Sequence, residues 1–86
     1  MASVAEVKSA IDAVIAQIGE VQSAVRAAGE QLSETQQSLA AAVEGSGHEA
    51  VGTAQSALTQ ATTELEEALA ATLTAVEQAQ NYLATL

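Results

Sequence analysis

Glu44-Gly45-Ser46-Gly47-His48-Glu49 is the break that decides the fold of this chain. Two glycines within three residues interrupt a helical pattern that runs on both sides of them. Gly45 suits the left-handed residue that ends a helix, because it has no Cβ to clash there. Ser46-x-x-Glu49 has the spacing of a capping box, in which the serine hydroxyl accepts an early backbone N–H and the glutamate reaches back. The expectation is a first helix ending at about residue 44, a corner over 45–48 and a second helix starting at about 49. A corner this short lays two helices side by side and antiparallel.

Upstream of the corner, Ser3-Val4-Ala5-Glu6 repeats the S-x-x-E spacing and predicts a helix start at about residue 4. From there Val4, Val7, Ile11, Val14, Ile18, Val21, Val25, Ala28, Leu32, Thr35, Leu39 and Ala42 recur in steps of three and four. A stripe that holds steps of about 3.5 over several heptads is a coiled-coil seam. Ile15, Val43, Ala10 and Ala24 widen it towards the breadth used in bundles. Gly19 and Gly29 each cost about 1 kcal/mol relative to alanine in a helix interior.

Downstream, the second helix is expected to run to about residue 84, with no Pro and no Gly after Gly52. Its apolar stripe reads Val51, Ala54, Leu58, Thr62, Leu65, Leu69, Leu73, Val76, Gln80 and Leu83. Those steps include consecutive fours, so the supercoil is expected to straighten along this half. Closing the corner sets Val43 near Val51, Leu32 near Ala61 and Thr62, Ala28 near Leu65 and Ile18 near Val76.

The fold class is thus all-α: one coiled-coil-like, antiparallel two-helix hairpin spanning 1–86. A thin rod buries less of its surface than a globe of the same mass. The hairpin is therefore expected to assemble, as a four-helix bundle or a longer oligomer. The contact residues are Val7, Ile11, Val14, Ile15, Ile18, Val21, Val25, Leu32 and Leu39 on the first helix. On the second they are Leu58, Leu65, Leu69, Leu73, Val76 and Leu83. Ser3, Glu6, Gly45, Ser46 and Glu49 cap and turn the chain.

Composition narrows the chemistry. Alanine supplies 21 residues, and Tyr82 is the only aromatic; Phe, Trp, Cys and Pro are absent. Without cysteine there is no disulfide frame, thiol nucleophile or thiolate metal site. Eleven acidic residues against two basic ones give a formal charge of −9. Two cations cannot neutralise a run of phosphates, so nucleic acid is excluded as a partner. No run of apolar residues is long enough to span a membrane. Met1–Ile18 carries Glu6, Lys8 and Asp12 and lacks the basic and apolar regions of a signal peptide. The expectation is a cytoplasmic protein that leaves the cell only by a route needing no such signal.

Candidate chemical groups are few. His48, the only histidine, reads as a solvated residue at the start of the second helix rather than a metal ligand or general base. Glu64, Glu66 and Glu67 read as a charged helix face, since acid–base work needs a desolvated cleft. Tyr82 reads either as an anchor at the open end of the hairpin or as a cover over the end of the seam. No catalytic residue, metal ligand or cofactor site is expected, and no enzyme.

A small, acidic, cysteine-free two-helix hairpin resembles the WXG100 or ESAT-6-like family. The resemblance implies type VII secretion and pairing with itself or with a second small helical protein in a four-helix bundle. Alanine richness with a single lysine also has the look of an actinobacterial protein. The family's Trp-x-Gly would fall near Gly45-Ser46-Gly47, where this chain has no tryptophan. Its C-terminal Tyr-x-x-x-acid motif would fall on Tyr82 and Leu86, and Leu86 is not acidic. A self-associating structural hairpin is the first functional expectation, and the secretion-associated partner is the second. A lipid-surface amphipathic protein is the third, disfavoured by small residues and acids where bulky apolar residues and cations are needed.

Overall fold

The computed structural model describes residues 2–86. Two helices account for most of them, α1 (Val4–Ala42) and α2 (Glu49–Thr85). Ser3 caps α1, its Oγ accepting the Glu6 backbone N–H at 3.1 Å. Val43 closes the helix by donating its backbone N–H to the Leu39 carbonyl at 3.1 Å. Gly45 then adopts φ +80°, the left-handed turn that a Cβ would penalise. Helix α1 therefore ends two residues before the expected boundary, because the closing turn begins at Val43.

The cap of α2 differs from the sequence expectation. Ser46 is not the N-cap. Its Oγ accepts the His48 backbone N–H at 3.3 Å, which shapes the corner. The N-cap is His48, whose Nδ1 accepts the Ala50 backbone N–H at 3.0 Å. The box spacing places a serine three residues before Glu49, but Glu49 is already the first helical residue. His48 is the side chain next to the unpaired N–H groups.

The helices fold back on each other into a rod of 64 × 18 × 15 Å. The antiparallel register brings Gln22 on α1 to Thr72 on α2, whose side chains hydrogen-bond at 3.3 Å. The same register brings residue 43 level with 51, 32 with 62 and 18 with 76. No described residue is fully buried, since each helix has one neighbour. The packed surface is a line of half-buried side chains.

On α1 and its cap that line is Val7, Ile11, Ile15, Ile18, Gln22, Val25, Gly29, Leu32, Gln36, Leu39 and Val43, with Gly19 and Ala28 half-covered beside it. On α2 it is Val51, Gln55, Leu58, Thr62, Leu65, Leu69, Thr72, Val76, Ala79 and Leu83. From Ile11 onward on α1, and throughout α2, the steps alternate four and three, so α2 keeps the coiled-coil period and does not drift from it. The departure from the apolar reading has a definite cause. Gln55, Thr72 and Ala79 hold the seam positions for which Ala54, Leu73 and Gln80 had the more apolar or simpler spacing, and those three are exposed.

The apolar face of α1 is three rows wide, and one neighbouring helix covers two of them. Ile11, Ile18, Val25, Leu32 and Leu39 form the central row. Ile15, Gln22, Gly29, Gln36 and Val43 form the inner row, which α2 covers. Val7, Val14, Val21, Ala28, Thr35 and Ala42 form the outer row, of which only Val7 and Ala28 are half-covered. The inner row faces α2 with Ile15 and Val43 and with Gln22 and Gln36, whose amides find Thr72 and Thr59 across the seam. Val14 and Val21, expected in the seam, consequently stand 46% and 51% exposed, and Leu73 on α2 is 51% exposed.

Candidate surface for association

The two helices leave two long sides of different chemistry. Ala28, Gln31, Leu32, Thr35, Ala61, Glu64 and Leu65 line an open cleft of about 520 Å³ on one side. Val25, Arg26, Gly29, Glu30, Ser33, Thr62, Leu65, Glu66 and Leu69 line a second of about 390 Å³ on the other. Both lie at the waist of the rod, where Ala28, Ala61 and Gly29 are too small to fill the space beside Leu65. A Cβ added at Gly29 would meet nothing within 4 Å, so the helices do not make a close backbone approach there.

The side holding the larger cleft continues along the whole rod. It carries the outer row of α1 and, on α2, Ala54, Ala61, Ala68, Ala75 and Tyr82. The next row out on each helix adds Ala10, Gln17, Ala24, Gln31 and Ser38, then Ala57, Glu64, Ala71 and Gln78. Among the described residues, Glu64 is the only charged group on this side. Asp12, Arg26, Glu30 and Glu66 lie on the opposite side, and Glu6, Glu20, Glu34, Glu67 and Glu77 point away from the seam.

The expected contact residues divide between seam and surface. Val7, Ile11, Ile15, Ile18, Val25, Leu32 and Leu39 are half-buried on α1, as are Leu58, Leu65, Leu69, Val76 and Leu83 on α2. Val14, Val21 and Leu73 are surface residues. Leu83 holds the last seam position, with Tyr82 next to it. Half of the Tyr82 surface faces solvent on the uncharged side.

Apolar spacing alone missed the polar part of the seam. Gln22 donates to Thr72 Oγ1, and Thr72 in turn donates to the Leu69 carbonyl at 2.7 Å. Gln36 donates to Thr59 Oγ1 at 3.1 Å, and Thr59 donates to the Gln55 carbonyl at 3.1 Å. Each hydroxyl satisfies its own helix and still accepts from the other one, so no buried side-chain polar atom among the described residues lacks a partner. The signal was present in the sequence as seven-residue spacing, which places Gln22 and Gln36 in one row with Ile15 and Val43.

Among the described residues no group of acidic or histidine side chains could hold a metal ion, and no helix is long and apolar enough to cross a membrane. The chain matches no protein-family model, no curated protein and no solved structure.

Proposed function

We propose that this chain is a non-catalytic structural protein whose work is association, with hairpins packing side by side into a four-helix bundle or a longer assembly. One observation carries the reading: the isolated hairpin leaves 6005 Å² exposed and fully buries none of its described residues. A globular protein of its 8.6 kDa mass exposes about 4,700 Å². The excess is of the size that a protein–protein interface removes. Sedimentation equilibrium over a concentration series tests it. A mass of twice 8.6 kDa or a higher multiple is expected, and a cooperatively folded single copy at nanomolar concentration overturns the proposal.

A second reading is suggested by the two-helix hairpin, the architecture of WXG100-like proteins: a chain that pairs with another small helical protein. It differs in one observable. An isolated chain that stays monomeric and weakly helical, and gains helix when a second small helical protein is added, supports this reading over self-association.

A further inference from the structure

We propose that the uncharged long side of the hairpin, carrying Val14, Val21 and Tyr82 on view beside Ala61, Ala68 and Ala75, is the surface on which a second copy of this chain docks. The inference rests on the self-association reading above and adds which of the two sides is used. Three observations single out this side and this occupant.

The first is charge. Each hairpin carries −9, so two copies repel wherever their acidic sides meet. The opposite side presents Asp12, Glu30 and Glu66, with the chain's two cations, Arg26 and Lys8 (seven residues before Ile15 in the inner row), among them. The docking side offers Glu64 alone. A cationic partner would find its complement on the acidic sides, whereas a second copy can approach without juxtaposing like charges only here.

The second is area. A side 64 Å long and 15 Å wide presents about 960 Å² in projection, against about 800 Å² per partner in a standard interface. The third is shape. The α1 half of this side is ridged by Val14 and Val21, both about half exposed, and the α2 half is flattened by alanines. A two-fold axis along the rod lays α1 of each copy against α2 of the other at the same level, which sets Val21 over Ala75 and Val14 beside Tyr82 twice and closes the assembly as a dimer. Valine against alanine permits the close helix spacing that interdigitated packing needs.

Matched exposure provides the test. Val21 and Leu73 are each 51% exposed on the single hairpin and lie on opposite sides, and the chain has no cysteine of its own. Val21→Cys and Leu73→Cys are labelled with a maleimide, alongside the sedimentation mass of each variant and of the unaltered chain. The expected result is a dimer in all three, with the thiol at 21 labelled at least about ten-fold more slowly than that at 73, and the difference vanishing on dilution. Equal rates in a dimer, or protection at 73 instead, overturn this choice of side while leaving self-association standing. A folded monomer with equal rates overturns the self-association reading itself. Because both changes are small and fall outside the seam, a second pair reads the same contrast by charge: Val21→Glu is expected to lose the dimer mass together with the cooperative melt, and Leu73→Glu to keep both.

Discussion

Gln22 and Thr72 meet across the seam at 3.3 Å, one amide donating to one hydroxyl between residues fifty apart in sequence. This contact places a polar layer inside a line of aliphatic side chains. Its two partners are unequal. Thr72 keeps a second bond, to the Leu69 carbonyl, whereas Gln22 has no other side-chain hydrogen bond across the helices.

That inequality predicts opposite outcomes for the two truncations. Gln22→Leu leaves the Thr72 hydroxyl bonded to its own helix and adds apolar surface to the seam, so a gain of about 0.5–1 kcal/mol is expected. Thr72→Val strands the half-buried amide and is expected to cost about 1 kcal/mol. Urea melts followed by circular dichroism, at fixed protein concentration, distinguish the two signs. Two losses of equal size would show that the layer acts only as a pair.

The glycines divide in the same way. Gly29 lies in regular helix with open space where a Cβ would go, so Gly29→Ala is expected to stabilise by about 1 kcal/mol through propensity alone. Gly45 holds φ +80°, and Gly45→Ala is expected to cost about 1 kcal/mol although no neighbour obstructs the new methyl. Thermal melts of the two variants should move in opposite directions.

At the restart of the chain, His48 performs a cap that other side chains perform better. An aspartate in its place would accept the same backbone N–H groups and put negative charge at the positive end of the α2 dipole. His48→Asp is expected to raise stability by about 0.5–1 kcal/mol, and His48→Ala to lower it by a similar amount. Helicity and melting temperature report both.

Leu65 lines both waist clefts, and so touches the space on either side of the seam. Leu65→Glu puts a carboxylate between the helices and is expected to cost at least about 3 kcal/mol, enough to remove the cooperative melt. Leu73→Glu, on the surface, is expected to change stability by less than about 0.5 kcal/mol. Similar losses for both would mean that Leu73 is covered in the assembled protein.

Salt should strengthen association. Bringing two copies together concentrates twice the charge of −9 in one particle, and screening shortens the reach of that repulsion from about 10 Å at 0.1 M to about 3 Å at 1 M. The dissociation constant measured by sedimentation is expected to fall by about ten-fold between about 20 mM and about 500 mM sodium chloride. A constant that rises with salt would point to attraction between opposite charges instead.

What the amino-acid order determined by itself was the number of helices, their antiparallel turn and the central row of α1. Those follow from local rules: glycine at a left-handed corner, Ser3 at a cap, and Ile11, Ile18, Val25, Leu32 and Leu39 spaced every seventh residue. Which flanking row joins the seam was a tertiary decision. Val14 and Ile15 are neighbours on one helix, and periodicity in that helix scores them almost alike. The partner helix separates them, because only packing against α2 offers Thr72 and Thr59 as hydrogen-bond partners for Gln22 and Gln36. The cap at His48 was settled the same way, by where the backbone N–H groups of α2 came to point.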